Sequence, residues 1–341
     1  MMHKHTHRFP LIAELKDMNN HLNKNDSTIV RTNSPRAWFL ATRPKTLSGA
    51  LVPVVAATAL AFANGKSSWA TAFLCMAFAA IMQIAANFIN DLYDFIKGTD
   101  GADRLGPERA CAQGWIKPDA MRQGIAVSIA MAVIVGLGVL AASFPYDEFR
   151  MAGSQPQFIL HYAGPLLVMG LLCVVFAFLY TTLLSYVGLG DVLVWLFFGF
   201  IPVLGTYYVI THTLTTEAWM LGGACGLVID TLLALNNYRD RDTDRQSGKR
   251  TLIAVLGEPF GRYYYLGVGI AGCLLAMMLG KRGYIGAALA VTPYLLLHIS
   301  AWRTMMRIFK GRELNKVLAL TSQNILIFGL LLAIGLAMHR L

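Results

Sequence analysis

Residues 87–100 read NFINDLYDFIKGTD, and residues 236–250 read NNYRDRDTDRQSGKR. In the first, Asn87, Asn90 or Asp91, and Asp94 fall on one helical stripe, with Gly98 ending the helix and Asp100 on the loop beyond. In the second, Asn237, Asp240 and Asp244 repeat the i, i+3, i+7 spacing, and Asp242 turns to another face. Carboxylates at these spacings repel one another unless something cationic lies between them. Hard amide and carboxylate oxygens suit magnesium, which takes one or two carboxylates together with substrate phosphates. Basic residues surround both stretches. Arg43 and Lys45 precede the first long apolar run, Lys97, Arg104 and Arg109 follow the first acidic cluster, and Arg245, Lys249 and Arg250 follow the second. Two carboxylate clusters carrying magnesium and ringed by Lys and Arg are suited to hold a diphosphate. One acidic pair at a helix end is usually a solvated cap. Two, each with Asn ahead and Lys or Arg behind, call for a shared chemical reason.

The elements that position these clusters are membrane helices. Of the 341 residues 56% are hydrophobic and only 14% charged, with a mean hydropathy of +0.52. A soluble domain carries about 25% charged residues. The apolar residues come in blocks of about 20, the length that crosses a bilayer as helix. Nine spans are expected, near 47–64, 70–92, 120–142, 163–185, 191–211, 218–237, 263–280, 284–302 and 318–338. The polar segment 1–37, with His3, His5 and His7, is expected to be a disordered cytoplasmic tail, leaving 38–341 as the transmembrane domain. Cys75, Cys111, Cys173, Cys225 and Cys273 show no disulfide or zinc spacing and read as packing residues.

With the N-terminus in the cytoplasm, 24 of the 29 lysines and arginines lie before the first span, in the loops after even-numbered spans or, for Arg122, at the adjoining span end. Only Lys66, Arg150, Lys281, Arg282 and Arg340 remain opposite. The positive-inside rule thus fixes the orientation and sets both acidic clusters on the cytoplasmic side. The net charge of +10 is accounted for by anionic lipid and a polyanionic substrate, without nucleic acid. Asp230 lies seven residues before Asn237, about 10 Å deeper at 1.5 Å per residue. An acid inside a span is a functional candidate.

The two clusters resemble the signatures of the UbiA superfamily of intramembrane aromatic prenyltransferases. Asn90, Asp91 and Asp94 match the first signature, whose last acidic position here is Gly98, with Asp100 the nearest later carboxylate. Asp240 and Asp244 match the second. RPKTL (43–47), DFIKGTD (94–100), DRLGPERA (103–110), YVGLGD (186–191), FFG with LGTYY (197–208) and NNYRD with GKRTL (236–252) resemble the 1,4-dihydroxy-2-naphthoate polyprenyltransferase branch, in which Asp191 is expected to be Glu. The resemblance implies an all-α polytopic fold of nine helices around a central cavity, in a bacterial inner membrane. It further implies Mg2+, a polyprenyl diphosphate donor and a 1,4-dihydroxy-2-naphthoate acceptor joined with loss of carbon dioxide in menaquinone synthesis. On that reading Asp91, Asp94, Asp240 and Asp244 are catalytic, and Asn87, Asn90, Asn237 and Asp100 complete the metal-diphosphate set. Lys97, Arg104, Lys249 and Arg250 serve the diphosphate, Arg43, Lys45 and Asp230 the acceptor, and Tyr93, Phe176 and Tyr180 shield the allylic cation. The alternatives are a prenyltransferase of the same superfamily acting on another aromatic acceptor and an ion-coupled transporter. The second sits poorly with acids concentrated at one surface rather than at the midplane.

Overall fold

A computed structural model describes residues 30–98, 104–153, 155–182, 184 and 188–340. Most of the expected tail, with His3, His5 and His7, and the candidate ligand Asp100 lie outside the described residues. Among those described, the chain is helical without strands, and nine helices are long and apolar enough to span a membrane. They are α1 (Pro35–Ala63), α2 (Trp69–Ile96), α3 (Pro118–Ser143), α4 (Pro156–Tyr180), α5 (Gly190–Thr211), α6 (Thr216–Gln246), α7 (Glu258–Arg282), α8 (Ile285–Ile308) and α9 (Leu314–Ala337). In lipid every backbone amide must be satisfied within the segment, so apolar runs of this length have no alternative to helix.

The helices outrun the expected spans at the end that carries the acids. α6 continues past residue 237 to Gln246, so Asp240 and Asp244 stand on the same rod as the apolar run. α2 continues to Ile96, where Gly98 at φ +70° closes it as expected of a left-handed residue after a helix. α1 begins at Pro35 rather than in the forties, capped by the Ser34 hydroxyl. It is broken at Arg43, whose φ of +50° turns the chain before a short 3₁₀ turn over Pro44–Thr46. The first helix thus begins within the segment expected to be tail.

Packing divides the helices unequally. α6 is buried over 72% of its most apolar stretch and α4 over only 6%. α6 packs against α1, α5, α7 and α9, whereas α4 meets mainly α2 and turns Leu160 and Leu171 outward. The α5–α6 seam depends on glycine. A side chain on Gly199, within a π-helical turn of α5 over Leu196–Phe200, would lie 2.6 Å from the Gly222 carbonyl. Small residues let the two backbones touch. A cavity of about 610 Å³ opens on the other side of this seam, lined from α1 through α6. Its wall is mostly apolar; Thr46, Gln83, Asn90, Tyr180 and Asn236 gather near one end, and Thr206 lines it near Cys75. It runs along α2 from Asn90 to Cys75, 15 residues or about 22 Å of helix.

Candidate active site

At the end of α2 the acidic stripe divides its work. Asn87 is buried and occupied: its amide nitrogen donates to the Thr42 carbonyl at 2.9 Å and the Thr46 hydroxyl at 3.1 Å, and its oxygen accepts from Gln83. Asp91 is 1% exposed and takes one backbone N–H on each oxygen, from Ala110 and Cys111, both at 2.8 Å. Arg43 stands 3.8 Å from the same carboxylate. Asn90 faces the cavity. Asp94 remains partly exposed and pairs with Arg109 at 2.8 Å. Asp91 thus pins the 104–117 segment to α2, and that segment delivers Arg104 and Arg109 to the site.

The same segment reaches α6. Leu105 accepts a hydrogen bond from Asn315 at 2.8 Å, and the Arg104 carbonyl accepts one from Arg312 at 3.1 Å. A side chain at Gly106 would lie 2.9 Å from an Arg239 nitrogen and 3.2 Å from one of Arg104. Glycine there lets two guanidinium groups approach the same turn. Arg239, 2% exposed at its side chain, grips Asp240 with two hydrogen bonds, at 2.8 and 2.6 Å, and donates a third to Asn315. Asp244 lies 3.7 Å from the Lys249 ammonium through one oxygen, and its other oxygen is buried without a hydrogen-bond partner. Asn237 is buried, Asn236 lines the cavity, and Asp242 is exposed. Tyr180, on α4, lines the cavity with Asn90 and Asn236.

The structure therefore brings the two clusters to one mouth of the cavity. The carboxylates there are Asp94, Asp240 and Asp244, with the Asn90 and Asn236 amides just inside. No group of three His, Cys, Asp or Glu among the described residues is close enough to hold a metal alone. The donors are all hard oxygens, and one Asp244 oxygen lacks a partner. Such a set fits a cation that takes most of its remaining ligands from a diphosphate and water.

Several predicted residues fall elsewhere in detail. Lys97 and Arg250 are exposed at the rim, and Lys45 is exposed while its carbonyl accepts from Ser322 at 2.6 Å. Arg245 faces away, spending its guanidinium on the Ala254 carbonyl. Phe176 and Tyr180 line the cavity, but Tyr93 packs edge-on against Phe178 outside it. Sequence reasoning missed Arg239 and Asn315. Arg239 is hidden between acids in NYRDRD, and neither partner of Asn315 is near it in sequence. Asp230 is 2% exposed and accepts from the Tyr264 hydroxyl at 2.7 Å.

The UbiA prenyltransferase family model matches residues 50–313. The chain is 31% identical over 310 residues to 1,4-dihydroxy-2-naphthoate octaprenyltransferase of Escherichia coli (strain K12), covering 89% of this chain and 96% of that protein. It is 30% identical over 308 residues to the protein of the same name from Mycobacterium tuberculosis, covering 89% and 98%. Among solved structures, the apo structure of a UbiA homolog from Aeropyrum pernix K1 superposes with a TM-score of 0.62 at 17% identity, over 86% of this chain and 98% of that one. With nine apolar helices among the described residues, paired acidic clusters near one end of a cavity and a family match across most of its length, the chain belongs to the UbiA prenyltransferase family of integral membrane proteins.

Proposed function

We propose that this prenyltransferase transfers a polyprenyl group from polyprenyl diphosphate to 1,4-dihydroxy-2-naphthoate, releasing diphosphate and carbon dioxide and giving demethylmenaquinol. The observation that carries this reading is one largely apolar cavity with carboxylates, amides and basic side chains gathered near one end. Relatives bearing the naphthoate octaprenyltransferase name along nearly their whole length support the acceptor. Such a protein sits in a bacterial cytoplasmic membrane, and the charge asymmetry favours a cytoplasmic N-terminus and mouth.

Asp94, Asp240 and Asp244 would hold magnesium together with the diphosphate, and the metal would supply charge neutralisation for the leaving group. The Asn90 and Asn236 amides offer oxygens on the cavity wall beside these acids, while Asn87 braces the turn over Thr42–Thr46 and Asn237 lies buried in α6. Asp91 acts by building the loop that carries Arg104 and Arg109. Those arginines, with Lys97, Lys249 and Arg250 from the rim, stabilise charge as the allylic C–O bond breaks. Arg239 and Arg109 hold Asp240 and Asp94 in place, two acids which would otherwise repel across the mouth. The polyprenyl tail lies down the apolar cavity, where Phe176 and Tyr180 present ring faces to the allylic cation and exclude water. Arg43 or Lys45 takes the acceptor carboxylate. The ring carbon bearing that carboxylate attacks the cation, and loss of carbon dioxide restores aromaticity. Thr32 and Asn33 are tied to residues 114–117, so a separate tail on this reading ends before them.

The test supplies purified protein with carboxyl-labelled 1,4-dihydroxy-2-naphthoate, a polyprenyl diphosphate and magnesium. Labelled carbon dioxide should appear in step with the prenylated quinol. Label retained in the product, or consumption of another aromatic acid only, contradicts the naphthoate reading and leaves family membership standing.

A further inference from the structure

The 104–117 segment is fastened at two places, to different halves of the mouth. Toward its far end the Asp91 carboxylate holds the Ala110 and Cys111 amides, which ties it to α2. At its start, two side chains from the α8–α9 junction hold consecutive carbonyls. Arg312 donates to the Arg104 carbonyl at 3.1 Å, and the Asn315 amide nitrogen donates to that of Leu105 at 2.8 Å. Asn315 has a second partner. Its amide oxygen accepts from Arg239 at 2.8 Å, and the other two nitrogens of that guanidinium donate to Asp240. One short amide thus joins the segment that carries Arg104 and Arg109 to the arginine that sets Asp240.

Asn315 lies in the first turn of α9, where an amide side chain ordinarily bonds its own backbone. Here both ends of the amide reach far along the chain instead, 210 residues to Leu105 and 76 residues to Arg239. The task needs a donor and an acceptor on one side chain, which a carboxylate or an ammonium cannot supply. Gly106 closes the arrangement. A side chain there would lie 2.9 Å from an Arg239 nitrogen, so the turn rests directly on that guanidinium. A shift of the turn must therefore move Arg239, and with it the carboxylate it grips. The α1 turn that carries Arg43 and Lys45 is fastened separately, by Asn87 to the Thr42 carbonyl and by Ser322 to the Lys45 carbonyl.

We propose that Asn315 is a positioning residue for the prenyl donor. It holds the turn over residues 104–109 and the Arg239–Asp240 pair in one register, so that the cations of the segment and the carboxylates of α6 meet the same diphosphate. The inference rests on the diphosphate reading of the mouth given above. Asn315 itself touches neither substrate, and acts through Leu105 on one side and Arg239 on the other. Without it the Asp91 fastening remains, so Arg104 and Arg109 stay attached to α2 but lose their fixed distance from Asp240. The defect should fall on the donor and spare the acceptor, whose cations belong to the separately fastened α1 turn.

The experiment compares wild type with Asn315→Ala, Asn315→Asp, Arg239→Lys and the Asn315→Ala/Arg239→Lys double variant. It measures binding of an unreactive thiolo analogue of the donor with magnesium, steady-state kinetics, melting temperature and tryptic cleavage after Arg104. Losing a hydrogen bond to a charged group predicts about ten-fold weaker analogue binding in Asn315→Ala, with a like fall in kcat/KM for the donor. KM for the aromatic acceptor and the melting temperature should stay close to wild type. Asn315→Asp keeps an oxygen for Arg239 but has no N–H for Leu105, so it should lose donor affinity to a similar degree. Bound analogue should protect the Arg104–Leu105 bond in wild type and in neither Asn315 variant. Because Asn315 and Arg239 act together, the double variant should fall well short of the product of the two single losses. Wild-type analogue affinity in Asn315→Ala or Asn315→Asp overturns the proposal, as does equal protection of the Arg104–Leu105 bond or a double variant with the full product. So does a loss that extends equally to the acceptor and to the melting temperature, which marks a purely structural role. Wild-type protein that binds no donor analogue overturns the diphosphate reading, and this inference with it.

Discussion

The ends of α2 and α6 carry nearly the same letters, Asn90-Asp91-x-x-Asp94 and Asn236-Asn237-x-x-Asp240, yet they are used differently. On α2 the middle position is Asp91, buried, with both oxygens spent on the amides of Ala110 and Cys111. On α6 the middle position is Asn237, and the charge appears instead at Asp244, one turn beyond Asp240. The α2 end therefore devotes one of its acids to architecture, and the α6 end keeps both at the mouth. Their counter-charges differ too. Asp94 is held by Arg109 from a separate segment, whereas Asp240 is held by its own chain neighbour Arg239. The lesson is that a carboxylate in a signature does not announce its task. Only the partners of its two oxygens do.

The largest effect separates the two ends by mechanism. Asp240→Ala should reduce turnover by at least 10²–10³-fold, about 2.7–4 kcal/mol, on the scale of a lost donor to developing charge. Its melting temperature should stay close to wild type. Turnover within a factor of about three of wild type would remove the mouth from the mechanism.

Asp91→Ala should act chiefly on the fold. It strands two buried N–H groups at about 1–3 kcal/mol each, so a melting curve in detergent should shift downward by several degrees. Asp91→Asn, which keeps one acceptor, should fall between. A stable but inactive Asp91→Ala protein would break the comparison and make Asp91 a ligand like Asp94.

The position at which the two ends agree should behave alike. Asn90→Ala and Asn236→Ala each remove an amide from the cavity wall, and each should lower kcat/KM about ten-fold, or about 1.4 kcal/mol. A loss confined to one of them would show that the ends do not share the ligand equally. The smallest effect belongs to Asp242, exposed on the other face of α6. Asp242→Ala should change stability by no more than about 0.5 kcal/mol and leave the rate nearly untouched.

The spans and the common side of the acids are legible in the sequence because lipid demands long unbroken apolar helices and a signed charge asymmetry. Helical phase also separates Asp242 from Asp240 and Asp244. Phase cannot show that Asp91 serves a loop 19 residues downstream, because that depends on how 104–117 folds back. Nor can it tell Arg239, which holds Asp240, from Arg241, which donates to the carbonyls of Tyr238 and Phe309, or from Arg245, which caps Ala254. Long basic side chains near a helix end choose among partners that only tertiary packing supplies. Tyr93 falls outside the cavity for a related reason: its neighbour Asn90 faces the cavity, but its own ring turns to Phe178.

The account stands on both ends holding one diphosphate through magnesium. Equilibrium binding of the unreactive thiolo analogue of the donor, with and without magnesium, tests this most directly in wild type, Asp94→Asn and Asp240→Asn. Magnesium should tighten binding in wild type, and each single variant should lose that increment. Full retention of the magnesium-dependent increment in either variant would contradict a single site shared by α2 and α6.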